Sequence, residues 1–152
     1  MCPQPVRSKT QFVLVGQVCK VRILLADDHP GFPKMVEALL GPTFEVVGEV
    51  SDGQSLFEEA AKLNPDVIIS DISMPILDGI EAARQLRRLG TAAKIIFLTV
   101  HSDLDFIRAC MAAGASGYVE KSRVATDLPA AISEVLAGHT FISPHPPNQP
   151  RM

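Results

Sequence analysis

Short apolar runs alternate with longer amphipathic stretches along most of this chain. Val67-Ile68-Ile69 is the strongest run, three β-branched residues that suit a strand buried on both faces. It ends at Asp71, and Met74-Pro75 then stops the extended chain, because proline has no N–H for a ladder. Similar runs predict strands over Val21–Ala26, Phe44–Val50, Lys94–Thr99 and residues 116–120. Between them, apolar residues recur at helical spacing. Val36, Leu39 and Leu40 with Met35 mark one helix over Phe32–Leu40, where Pro33 is tolerable only in the first turn. Leu56, Phe57, Ala60 and Ala61 mark a second over residues 54–63. Ile80, Ala83, Leu86 and Leu89 mark a third, with Asp78 as N-cap and Arg84, Arg87 and Arg88 on its outer face. A fourth follows a Ser102 or Asp103 cap and ends at Gly114, and a fifth runs over residues 126–137.

Strands that alternate with helices are parallel strands joined by crossovers. The pattern therefore predicts an α/β fold, a doubly wound five-stranded parallel sheet with helices on both faces. Residues 1–20 read as a loose N-terminal extension, residues 21–143 as the domain, and the proline-rich residues 144–152 as a linker or tail.

Composition narrows this only a little. At 152 residues, 47% hydrophobic and 20% charged, the chain suits one soluble domain with one core. A net charge of -3 offers no broad basic footprint for DNA. Cys2, Cys19 and Cys110 have no metal-ligand spacing, which favours ordinary thiols in a reducing compartment. No apolar run approaches the roughly 20 residues that a membrane span needs. No signal-peptide pattern opens the sequence, so a cytoplasmic protein is expected.

The chemistry gathers at strand ends. The first strand ends in Asp27-Asp28, the third in Asp71 and the fourth in Thr99, and the fifth leads to Lys121. In open α/β sheets the carboxyl edge is where ligands bind. Gathered carboxylates repel one another, and a hard cation such as Mg²⁺ relieves the repulsion. Lysine offers a positive charge to a phosphoryl group and threonine a hydroxyl donor. Asp71 is thus a metal ligand, a nucleophile or a loop cap.

The segments Leu24-Leu25-Ala26-Asp27-Asp28-His29-Pro30, Pro65-Asp66-Val67-Ile68-Ile69-Ser70-Asp71-Ile72-Ser73-Met74-Pro75, Asp78-Gly79, Leu98-Thr99 and Gly117-Tyr118-Val119-Glu120-Lys121-Ser122 stand in a telling order. Together they resemble a response-regulator receiver domain of bacterial two-component signalling, over roughly residues 21–143. The resemblance implies a flavodoxin-like fold and Asp71 as phosphoacceptor. It implies that Asp27, Asp28, Asp71 and the backbone carbonyl of Ser73 bind Mg²⁺ and that Lys121 contacts the phosphoryl group. Thr99 and Tyr118 would be the switch pair, with Thr99 turning to the phosphoryl group and Tyr118 moving inward behind it. The donor would be a sensor histidine kinase or a histidine phosphotransfer protein, and a phosphorylation-dependent homodimer is a further expectation.

Finer details, such as Asp28-His29-Pro30, Thr99-Val100-His101 and Ala113-Gly114-Ala115-Ser116-Gly117-Tyr118, resemble receivers that precede a LuxR-type helix-turn-helix domain. Phe141-Ile142-Ser143-Pro144 resembles their exit into the linker. The sequence ends at Met152 without such a domain, so no DNA binding by this chain alone is expected. Two positions depart from the pattern: Pro33 in the first helix, and Val100 where a smaller residue is common.

Plainer readings stand beside these. His29 and His101 read as surface loop residues, since no other His or Cys lies at ligand spacing. Arg84, Arg87 and Arg88 read as a solvated face. Phe106, Ile107, Cys110 and Met111 read mostly as core. A phosphatase with an aspartyl nucleophile would carry a second carboxylate two residues later, where this chain has Ser73. A receiver-like interaction module that is never phosphorylated would not need the acidic pair and Lys121. The leading expectation is a signalling module, not an enzyme.

Overall fold

The structure is a computed structural model that describes residues 13–14, 17–18, 20–72, 77–100 and 104–143, with the backbone alone at 13–14, 17–18 and 106. In chain order the elements are β1 (Val13–Leu14), β2 (Gln17–Val18), β3 (Val21–Ala26), α1 (Phe32–Leu40), β4 (Phe44–Val50), α2 (Gly53–Leu63) and β5 (Val67–Asp71). There follow α3 (Gly79–Arg88), β6 (Lys94–Thr99), α4 (Leu104–Ala112), β7 (Gly117–Glu120), a 3₁₀ turn (Lys121–Arg123), α5 (Val124–Leu136) and β8 (Phe141–Ile142).

The main sheet has the order β4-β3-β5-β6-β7-β8, and every neighbouring pair is parallel. After β3 the chain goes to β4 on one side, then returns to lay β5 on the other. The strand order reverses at β3 and β5, so the loops leaving their carboxyl ends diverge and open a crevice. Asp27 and Asp71 stand at that crevice because they end these two strands.

The pleat divides the core into two layers. Ile23 and Leu25, Val67 and Ile69, Ile96 and Leu98, and Val119 face α1 and α5. Leu24, Ile68, Ile95, Phe97 and Tyr118 pack on the opposite side with α2, α3 and α4 residues such as Leu56, Leu86 and Cys110. All five residues of β5 are buried, which is why its sequence is apolar without alternation.

Helix starts follow the sequence. Asp52 accepts a hydrogen bond from the Ser55 N–H at 2.7 Å, and Asp78 accepts one from the Glu81 N–H at 2.8 Å. Pro33 falls in the first turn of α1, where a missing N–H costs nothing. Among the described residues, no helix is long and apolar enough to cross a membrane.

Three sequence expectations need correction. The main sheet has six strands, not five. The sixth is β8, in the segment read as an exit: the Phe141 N–H donates to the Ser116 carbonyl at 3.1 Å and the Ser143 N–H to the Tyr118 carbonyl at 2.8 Å. These bonds satisfy groups that β7 would otherwise leave bare at an edge. Second, Leu89 and Met35 face outward, at 64% and 46% exposure, because Ala82 and Val36 take the inward positions instead. Apart from the main sheet, β1 and β2 form a small antiparallel pair of their own.

Third, Arg87 is not a solvated residue. Its guanidinium donates to the carbonyl oxygens of Gly114 (2.7 and 3.0 Å), Thr91 (3.2 Å) and Ala93 (3.1 Å). It thereby ties the end of α3 to the turn after α4 and to the loop leading into β6. The Ser102 or Asp103 cap falls outside the described residues.

Two tight approaches bear on the crevice. Gly79 opens α3 directly over the end of β5. A Cβ there would overlap the Asp71 carbonyl oxygen and lie 3.0 Å from Ser70 Oγ and 3.2 Å from the Phe97 ring. Its N–H donates to the Ile72 carbonyl at 2.9 Å. Gly53 is similar at the start of α2, where a Cβ would overlap the Leu77 carbonyl.

The exit segment is held by a closed polar network. Ser143 Oγ donates to Asp127 Oδ2 at 2.9 Å and accepts the Glu120 N–H at 3.0 Å, while Arg123 Nε donates to the same Asp127 oxygen at 2.9 Å.

Gly79→Ala is expected to destabilise the fold by about 1–3 kcal/mol, since the new methyl meets backbone that cannot swing away. A lower denaturant midpoint at unchanged slope is the readout. Ser143→Ala is expected to cost about 1–2 kcal/mol, because it strips a partner from the buried Asp127 carboxylate and from the half-buried Glu120 N–H. Hydrogen exchange at the Glu120 amide should quicken in that variant.

Candidate functional site

Three side chains from separate strand ends meet at the crevice. Asp27 follows β3, Asp71 ends β5 and Lys121 follows β7. They share one side of the sheet because each continues the alternation of Leu25, Ile69 and Val119. Lys121 Nζ lies 2.8 Å from Asp27 Oδ2 and 3.3 Å from Asp71 Oδ2. The ring of Phe32, at the start of α1, sits under the ammonium with its centroid 4.7 Å away.

The two oxygens of Asp71 differ. Oδ1 accepts the Ile72 N–H at 2.7 Å, while Oδ2 faces Lys121. Burial pushes the Asp71 carboxyl above its ordinary value; Lys121 pulls it back, and the Asp27 carboxylate pushes it up again. The carboxyl is thus a held group with one oxygen fixed by backbone and one turned into the crevice.

Asp27 is more confined. Its Oδ1 accepts the His29 N–H at 2.7 Å and lies 2.8 Å from His29 Nδ1. Its Oδ2 is buried and has no hydrogen bond. The Lys121 ammonium is near enough to attract it, but out of line for a hydrogen bond. A buried carboxylate oxygen left this way is suited to a cation.

Asp28 is more exposed and stands at the rim. One ligand atom each from Asp27, Asp28, His29 and Asp71 lies within 4.8 Å of all the others. Three carboxylates against one ammonium leave negative charge uncompensated, so the donor set fits a divalent ion. Ser73, read as a carbonyl ligand, lies outside the described residues.

Thr99 and Tyr118 occupy the other pleat. Thr99 ends β6, paired with Glu120, and is buried; Tyr118 pairs with Phe97 and is fully buried. In this structure the Tyr118 ring lies in the core. Tyr118 also pairs with Ile142 of β8 and belongs to the core layer on which Met111 and Ala115 also pack. Val100, next to Thr99, is 78% exposed and joins Met35 and Phe32 in an apolar rim beside Lys121.

His29 is an exposed residue of the loop after β3, as its sequence context suggests. Its ring leans towards the crevice, with Nδ1 3.5 Å from both Asp28 Oδ1 and Asp71 Oδ2. The available signal was local: an aspartate commonly accepts the N–H two residues on, which folds the following loop back over it. His101 lies outside the described residues. Cys110 is packed in the core, where burial pushes its thiol up to about 12, so it carries no chemistry here.

Comparison with known proteins agrees with this geometry. The family model described as the response regulator receiver domain matches residues 23–133. Transcriptional regulatory protein DegU of Brevibacillus brevis is 38% identical over 127 residues, covering 82% of this chain and 54% of that protein. Response regulator GacA of Pseudomonas aeruginosa is 34% identical over 128 residues, covering 82% of this chain and 59% of that protein. This chain thus spans little more than half the length of these relatives.

Among solved structures, a two-component response regulator of the LuxR family from Aurantimonas sp. SI85-9A1 superposes with a TM-score of 0.78 at 36% identity, covering 82% of this chain and 91% of that one. The isolated REC domain of RcsB from Salmonella enterica serovar Typhimurium, determined with phosphomimetic BeF₃⁻, gives 0.74 at 30% identity, covering 82% and 94%. The crevice at the strand-order reversal, the acid–lysine constellation within it and the family match over most of the fold lead to one conclusion: this chain belongs to the response regulator receiver domain family.

Proposed function

We propose that this chain is the phosphoacceptor module of a two-component pathway, with Asp71 taking a phosphoryl group from a phosphohistidine. The observation that carries the reading is the divided role of the Asp71 oxygens, one held by the Ile72 N–H and the other facing Lys121. Asp71 Oδ2 attacks phosphorus, the P–N bond breaks, and the donor imidazole leaves with the electron pair. Phosphoryl transfer demands little covalent work from the protein beyond positioning and charge neutralisation.

Lys121 supplies the positive charge. In this structure its ammonium stands against Asp27 and Asp71, and a short swing would set it on a phosphoryl oxygen. Asp27, Asp28 and Asp71, with the Ser73 carbonyl, would hold Mg²⁺, which neutralises phosphoryl charge when bound. The buried, unbonded Oδ2 of Asp27 favours that assignment.

The donor is a sensor histidine kinase or a histidine phosphotransfer protein. The exposed apolar rim of Met35 and Val100 beside Lys121 suits a docking helix that brings its histidine to the crevice. Such a partner implies a cytoplasmic protein that signals and is not a turnover enzyme. The acyl phosphate adds about -1.5 to -2 charges, and Thr99 is the residue that would respond to it. Thr99 and Tyr118 share the pleat that packs on α4, so the response would travel to that face and to a homodimer or another partner there.

Incubation with acetyl phosphate and Mg²⁺ is expected to add one phosphoryl group to the wild-type chain and none to Asp71→Asn, as read by intact-protein mass. Wild-type uptake by the variant would sink the assignment.

The same variant tests the electrostatics. The folded-state carboxyl of Asp71 lies above its unfolded value of 3.8. The folded protein therefore holds a proton that the unfolded chain releases, and stability falls as pH rises through that window. In chelator at neutral pH, Asp71→Asn is expected to be more stable than wild type, with the difference shrinking below pH 4. Denaturant melts at the two pH values read this directly, and an equal gap at both would contradict it.

A further inference from the structure

We infer that Ser70 is a positioning residue for Asp71: its buried hydroxyl fixes the peptide plane whose N–H holds Asp71 Oδ1. The inference rests on the phosphoacceptor reading above and concerns a side chain that reading does not use.

Ser70 is fully buried in β5. Strand alternation puts its side chain on the pleat opposite Asp71, with those of Ile68 and Ile72. A hydroxyl in an apolar layer costs free energy unless it is bonded. Ala26 and Ile68 fill their places in this layer without one. The bond that Ser70 Oγ makes is to the carbonyl oxygen of Asp71, at 2.7 Å.

That carbonyl belongs to the peptide joining Asp71 to Ile72. The N–H of the same peptide donates to Asp71 Oδ1 at 2.7 Å. A peptide unit is planar, so its carbonyl and its N–H turn together. A hydroxyl that fixes the oxygen on one face of the sheet therefore aims the N–H at the carboxylate on the other. The start of α3 completes the lock. Gly79 stands so close to the Asp71 carbonyl oxygen that a Cβ would overlap it, and that Cβ would lie 3.0 Å from Ser70 Oγ. The Gly79 N–H also donates to the next carbonyl, that of Ile72, at 2.9 Å.

The consequence falls on rotation of the carboxylate. While Oδ1 is tethered to the Ile72 N–H, Oδ2 stays turned to Lys121, 3.3 Å away, in the orientation from which it attacks. Without the hydroxyl the peptide plane rocks, Oδ1 loses its aim and the carboxylate spends less time in that orientation. Attack on phosphorus tolerates little such loss. Ser70 touches no reacting atom and acts through the Asp71 backbone.

The test uses the full chain with acetyl phosphate and Mg²⁺, followed by intact-protein mass, together with nuclear magnetic resonance at the Ile72 amide. Ser70→Ala and Ser70→Val are each expected to slow phosphorylation about three- to tenfold. Ser70→Thr, which returns a hydroxyl to the valine frame, should run at least about threefold faster than Ser70→Val. In Ser70→Ala and Ser70→Val the Ile72 amide proton should move upfield and exchange faster with solvent, as its bond to the carboxylate weakens. Loss of packing alone would slow Ser70→Thr and Ser70→Val alike. Three results overturn the proposal and leave the phosphoacceptor reading standing: Ser70→Ala phosphorylated at the wild-type rate, an Ile72 amide unmoved in that variant, or equal rates for Ser70→Thr and Ser70→Val. A wild-type chain that takes up no phosphoryl group overturns the phosphoacceptor reading and, with it, the role given to Ser70.

Discussion

Carboxylates that crowd one crevice repel, and the Lys121 ammonium is what makes the metal-free arrangement tolerable. It lies 2.8 Å from one buried acid and 3.3 Å from another, over an aromatic face that attracts it from below. Remove that charge and Asp71 would be driven further from ionisation, since burial and Asp27 both already oppose it. The site's resting counter-ion is thus a side chain, which a divalent cation could displace from the carboxylates and an anionic phosphoryl group could attract.

The fold makes this crowding possible at low cost. The strand-order reversal between β3 and β5 opens space exactly where two acids end their strands, and pleat alternation turns them the same way as Lys121 two strands further on. Thr99 and Tyr118, on the opposite pleat, belong to a different core layer. One sheet thus separates the acid–lysine crevice from the proposed switch pair. Gly79 lets α3 close directly onto the Asp71 backbone, so the end of β5 is held from behind by a helix start.

Much of this was legible in the sequence. Apolar runs ending in acid placed Asp27 and Asp71, and the order of motifs identified the family. The alternation of strand and helix fixed the sheet type. What escaped had physical reasons. Two-residue strands such as β8 leave no period to detect, and their existence depends on what β7 leaves unpaired. Arg87 looked solvated because its partners are carbonyls, which sequence does not display as partners. Tyr118 could be named but not positioned, because a rotamer depends on the core layer around it, which residues from β8 and α4 complete. The approach of His29 to Asp71 escaped because the two stand on different strand ends, which spacing along the chain does not display.

The clasp of Ser143 on Asp127 and Glu120 has a mechanical meaning. Glu120 immediately precedes Lys121, and Ser143 is the last described residue before the proline-rich stretch. Ser143 is consequently anchored one peptide unit from the lysine of the crevice. Any tilt of the β7 terminus would be passed to Ser143 through this bond, as a hinge pin passes on the rotation of its plate.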